Sequence, residues 1–146
     1  LPVGTKLTDV WWESHDGRTR LPRHLSPEFR SKEVHGKAGI TFGRQIGAYP
    51  ILVGMNYLAP LESQSDIIVT GHGARSITGV ECGLAMNDIT EKQLAAIPGI
   101  SSKGAWNLVS KRAKLMSKGN RIENVEQWFN QCNLQIPDFI NEIITR

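Results

Sequence analysis

The spacing of hydrophobic and polar positions changes once along this chain, near residue 85. Before that point, short stretches of β-formers are punctuated by glycine, which is the pattern of strands separated by turns. Five such stretches lie at 5–13, 39–45, 49–54, 66–70 and 75–80, and Pro50 suits a strand start. So many short strands in so little chain predict a small antiparallel β-barrel, where closure removes exposed edges. Residues at about 16–37 are polar, carry Pro22, Pro27, His24 and His35, and lack a clear period, so they read as a long insertion.

After Met86 the spacing becomes helical. Thr90 followed by Gln93 offers a capping box for a first helix that turns Leu94 and Ile97 inward. A second helix, from 102 to about 114, aligns Ala105, Leu108, Val109 and Arg112, a stripe that starts apolar and ends basic. Val125, Trp128, Phe129 and Cys132 predict a third helix, and Ile136, Phe139, Ile140, Ile143 and Ile144 a fourth. Trp106 lies off its helix's stripe and is expected to pack against the last two helices rather than to stack on a base. The predicted class is α+β: a small β-barrel over 1–85, followed by an all-α domain over 86–146.

Composition and charge narrow the function. An apolar fraction of 40% and a charged fraction of 21% fit a soluble folded protein and exclude both a disordered chain and a membrane span. No signal-peptide pattern opens the chain, which points to the cytoplasm, while a start on Leu1-Pro2 points to a segment of a longer polypeptide. The two cysteines, Cys82 and Cys132, have no His or Cys neighbour at metal spacing, so no metal site and no disulfide framework is expected. The net charge of +3 is concentrated rather than spread. Lys103, Lys111, Arg112, Lys114, Lys118 and Arg121 face no Asp or Glu between them, and Arg18, Arg20, Arg23, Arg30, Lys32 and Lys37 face only Glu28 and Glu33. Such density attracts polyanions, although a solvated surface would look the same.

The run Ile97-Pro98-Gly99-Ile100-Ser101-Ser102-Lys103-Gly104-Ala105 resembles the helix-hairpin-helix. Gly99 suits a backbone conformation barred to residues with a Cβ, which leaves amides free at the start of the next helix, where a phosphate is received. Ile100 plugs the hairpin, Ala105 lets two helices cross closely, and Lys103 adds a charge. Ser101 departs from the family pattern, which has glycine there; serine is a good N-cap and its hydroxyl can donate to phosphate. Asn87 and NVEQWF at 124–129 look like the tandem hairpin unit of competence-type DNA-uptake proteins, whose second hairpin would fall at 134–137. That stretch has no glycine and reads as a degenerate copy kept for packing. The expected nucleic-acid contacts are Gly99, Ile100, Ser101, Ser102, Lys103, Lys111, Arg112 and Lys114, with non-sequence-specific grip on the backbone of DNA or RNA.

PVGT at 2–5, ITFGRQIGAYPILVG at 40–54 and GARSITG at 73–79, together with the hairpin, resemble the C-terminal region of archaeal radical S-adenosylmethionine proteins that end in a helix-hairpin-helix. The resemblance implies a preceding catalytic barrel with a 4Fe–4S cluster on a Cys-x3-Cys-x2-Cys motif and S-adenosylmethionine as cosubstrate. None of that motif is present here, so no cofactor is expected in this segment, no catalytic residue is assigned, and the catalytic domain of the parent chain is a second expected partner. By the same analogy the β half resembles OB- or TRAM-type RNA-binding barrels. Arg44, Tyr49, His72 and Arg75 are then its candidate contacts, against the alternatives that 71–73 is a plain turn and that Arg44 pairs with a carboxylate such as Asp66. Two rivals stand beside this reading. One is a protein-docking module without nucleic acid. The other is a DNA glycosylase using Lys103, which also needs an aspartate near position 122, where the chain has Ile122 next to Glu123.

Overall fold

The computed structural model describes residues 2–15, 40–45, 52–72 and 76–145. The expected insertion at about 16–37, with its six basic residues, and Tyr49, Pro50 and Arg75 lie outside them. The chain divides into two units, Leu1–Gly79 and Val80–Arg146.

The first unit is built on a closed barrel of β1 (Lys6–Ser14), β2 (Thr41–Gln45), β3 (Leu52–Met55), β4 (Gln64–His72) and β5 (Ser76–Glu81), in the order β1-β2-β3-β5-β4. These are the five expected strands, shifted by a few residues. The expectation of a wholly antiparallel barrel is corrected: β1 runs antiparallel to β2 and β4, and β2 to β3, but β3 and β5 are parallel. The reason is one of parity. An odd number of strands cannot alternate direction all the way round a ring, so at least one neighbouring pair must run the same way.

Closure depends on β1, which serves two partners. Lys6–Trp11 pairs with β4 and Val10–Ser14 with β2. The register against β4 shifts between Leu7 and Val10, where Asp9 sits at φ 56°, a conformation Asp tolerates better than most side chains. The extra residue coils the strand. It also resets the alternation, so that the buried positions are Leu7, then Val10, Trp12 and Ser14. The Asp9 amide donates to Asp66 Oδ1 at 3.1 Å, and Gln45 Nε2 donates to the Thr8 carbonyl at 3.0 Å, so the bulge's polar groups find partners. Val10, Trp12, Val53, Met55, Ile67 and Val69 fill the interior. The Trp12 indole donates to Ser65 Oγ at 3.0 Å. Buried Thr41 donates to the Tyr57 carbonyl at 2.7 Å and accepts from the Ala59 amide at 2.9 Å, which fixes the chain leaving β3.

The second unit contains α1 (Glu91–Ala95), α2 (Ser102–Ser117), α3 (Val125–Gln131) and α4 (Ile140–Ile143), with β6 (Leu84–Ala85) and β7 (Ile144–Thr145) paired in parallel. The expected capping box is present, with Thr90 Oγ1 accepting from the Gln93 amide and Gln93 Oε1 from the Thr90 amide. α2 ends on Gly119 at φ 79°, where the Asn120 amide reaches back to the Leu115 carbonyl at 2.8 Å. Asn133 at φ 57° ends α3 in the same way. The fourth helix is shorter than expected. It is one turn, preceded by Pro137 and by Phe139 at φ 63°, and Ile144 belongs to β7, where its register partner is Leu84. Ile136 and Phe139, expected to face inward, are 37% and 40% exposed.

Gly43 tests the barrel's tightness. A Cβ there would overlap the Trp11 carbonyl oxygen and come within 2.7 Å of Trp12 Cε3. Gly43→Ala is expected to destabilise by about 1–3 kcal/mol, read as a lower urea midpoint. Gly54→Ala, whose Cβ meets nothing nearer than Phe42 Cε1 at 3.5 Å, should be much milder.

Candidate nucleic-acid interface

Six residues join α1 to α2, and they alternate between anchoring and exposure. Ile97 and Ile100 are buried, while Pro98 and Gly99 between them are exposed. The Ile100 amide donates to the Ile97 carbonyl at 3.1 Å and closes a tight turn. Gly99 holds φ 94°, and nothing lies within 4 Å of where its Cβ would be, so glycine is needed for backbone conformation and not for room.

Ser101 caps α2 in ordinary extended geometry, φ −76° and ψ 167°. That backbone asks for no glycine. Ser101 Oγ accepts from the Gly104 amide at 3.0 Å, and its carbonyl accepts from the Ala105 amide at 2.9 Å. The hydroxyl proton is left over to donate. Among the described residues the amides of Gly99, Ser101, Ser102 and Lys103 have no acceptor, and all four residues are exposed. Gly104 and Ala105 are buried beneath them. A Cβ on Gly104 would lie 3.3 Å from Leu134 Cδ2, so the glycine-free second stretch packs against the head of α2.

The basic residues separate by face. Lys103, Trp106, Ser110 and Lys114 recur at three- and four-residue spacing and so share one face of α2. Lys103 and Lys114 are exposed and Lys111 is half-buried. Trp106, Asn107, Lys111 and Lys114 line a shallow hollow together with Gln131 and Asn133. Arg112 points the other way. Its guanidinium donates to the Met86 carbonyl at 3.0 Å and lies 5.8 Å from the centre of the Trp128 ring. Burial pulls its pKa below the ordinary value, and Asp88 partly offsets this. Burial likewise raises the Cys132 thiol, with Lys111 opposing.

A second polar clasp supports this unit. Asn87 Nδ2 donates to the Ile122 carbonyl at 3.0 Å and its Oδ1 accepts from the Ile122 amide at 2.9 Å, as a strand partner would. Trp128 is buried and its indole donates to the Leu108 carbonyl at 2.9 Å. In the barrel, half-buried Arg44 lies on β2, and its buried Nε has no hydrogen-bond partner among the described residues. Asp66, its suggested partner, instead lies 3.8 Å from Lys6 Nζ. His72 is exposed at the end of β4, and Arg75 lies outside the described residues.

The sequence reading did not anticipate that Trp106 would be 59% exposed. Its place between Lys103 and Ser110 on a polar stripe was the available signal. Ile122, at the position where a glycosylase would need an aspartate, is buried and held by Asn87. No group of three or more His, Cys, Asp or Glu side chains that could hold a metal occurs among the described residues. Two cysteines in the whole chain do not fit an iron–sulfur cluster, whose ligands are three or four thiolates. No helix among the described residues is long and apolar enough to cross a membrane.

Neither a known protein family nor a solved structure matches this chain. It is similar to an uncharacterized protein of Archaeoglobus fulgidus, 42% identical over 67 residues, which are 46% of this chain and 12% of that protein. The match therefore spans about an eighth of the relative's length.

Asn87→Ala would leave the Ile122 amide and carbonyl unpaired. It is expected to cost about 1–3 kcal/mol in a urea melt, whereas Lys114→Ala on the exposed face should stay within about 0.5 kcal/mol.

Proposed function

We propose that the second unit is a helix-hairpin-helix that grips the sugar-phosphate backbone of a nucleic acid without reading its sequence. The reading rests on the exposed turn at Gly99, which presents the unpaired amides of Ser101, Ser102 and Lys103 at the positive end of a sixteen-residue helix. Lys103 adds a cation beside them. Arg112 is set apart from this contact set, because its guanidinium is already used inside the unit.

The finer reading of the first unit is an OB- or TRAM-type barrel. In OB-type barrels oligonucleotides lie across strands 2 and 3 and the loops joining strands 1–2 and 4–5. In this chain Arg44 is on β2, and the sequence between β1 and β2 and between β4 and β5 carries the basic stretch 18–37 and Arg75. The buried Nε of Arg44, without a partner among the described residues, favours a polar ligand or neighbour there.

A longer polypeptide as the setting draws support from the relative, in which the matched stretch is 12% of the length. A parent radical S-adenosylmethionine enzyme remains the reading of the family resemblance, and a three-cysteine motif in the full reading frame is its test. A second reading, docking to protein, is favoured by the exposed Ile136 and Phe139.

Salt separates the two readings. Phosphate contacts make affinity fall steeply with ionic strength, while docking through apolar surface responds little. Gly99→Val is expected to weaken binding to unrelated sequences equally. Lys103→Glu should do the same and lower the slope of log affinity against log salt by about one. Changed sequence preference at retained affinity, in titrations of two unrelated oligonucleotides, would remove the hairpin from the contact set.

A further inference from the structure

An indole left mostly in water is unusual enough to need a reason. Trp12 and Trp128 are buried and hydrogen-bonded, whereas Trp106 is 59% exposed on a helix that also carries Lys103, Lys111 and Lys114. Lys103 and Lys114 share its face, half-buried Lys111 lines the same hollow as Trp106, and from Lys103 to Lys114 the helix extends roughly 16 Å at 1.5 Å per residue. No Asp or Glu occurs from Lys103 to Arg121, and the opposite wall of the hollow is Gln131, Cys132 and Asn133.

From this we infer that the Trp106 face of α2 is a single-strand platform, on which one unpaired base stacks on the indole while Lys103, Lys111 and Lys114 hold the flanking phosphates. The inference rests on the backbone-binding reading above and adds the substrate class to it. A duplex buries its base faces, so a flat ring on a phosphate-tracking surface gains little from it; every base of a single strand offers a π-face. Sequence tolerance is kept, because stacking does not distinguish hydrogen-bonding edges. The length of the face suits several nucleotides at the 3.4 Å spacing along one strand of a stacked helix.

The test is a titration of the whole chain with oligothymidylate, oligouridylate and a mixed-sequence duplex at low ionic strength, the first two arms separating DNA from RNA. Trp106→Ala is expected to weaken single-strand binding roughly five- to hundredfold and duplex binding by less than about twofold. Trp106→Phe should recover most of the loss, and the quenching of indole fluorescence by single strands should vanish in both variants. Since Trp106 is exposed, both variants should keep the wild-type circular dichroism spectrum and urea midpoint. Equal losses on single strand and duplex, or no loss in Trp106→Ala, would overturn the platform while leaving the hairpin's grip in place. If the unsubstituted chain binds none of the three ligands, the backbone-binding reading falls as well.

Discussion

The head of α2 has more amides than its cap can serve, and the proposed activity depends on that imbalance. Ser101 satisfies Gly104 through its hydroxyl and Ala105 through its carbonyl. The remaining amides of the turn are left to water, which costs little while they are exposed. An anion that displaces this water gains charge-assisted bonds with no rearrangement of the chain. The turn is held from below by Ile97 and Ile100, so its outward face is set by burial rather than by a ligand. Serine is accommodated at position 101 because, of the residues in this turn, only Gly99 holds a positive φ.

Charges that are equal in sequence are unequal in use. Arg112 sits between Lys111 and Lys114, yet helical geometry turns it inward, where its planar guanidinium meets a carbonyl and an aromatic ring at once. A lysine is poorly suited to that site, since it lacks the flat fork. The outward lysines have no such engagement among the described residues, and their ammonium groups remain available as point charges. The basic run is thus one structural cation, Arg112, flanked by lysines that have no such role among the described residues.

Much of this was legible from residue spacing. Five strands, the Thr90–Gln93 box and three of the four helices follow from period and capping, because those signals are local. What was missed needed tertiary information. The parallel β3–β5 pair is a consequence of ring closure and leaves no mark on either strand. The bulge at Asp9 arises from β1 serving two partners, and it shifts the alternation between Leu7 and Val10 that a strict period of two would assign. The last helix looked longer because isoleucines at helical spacing also suit a strand, and the pairing of Ile144 with Leu84 decided between them. Trp106 was expected to pack against the last two helices; its place off the apolar stripe of its helix was the signal for the exposure it has.

The pairing of β6 with β7 brings the entry and exit of the helical unit side by side. An element whose two ends leave from one spot can be grafted into a host loop without stretching either the graft or the host. The same closeness allows old ends to be joined and new ones opened at a surface turn such as Gly119. The Gly99 turn lies between those two ends and would travel with them in any such graft.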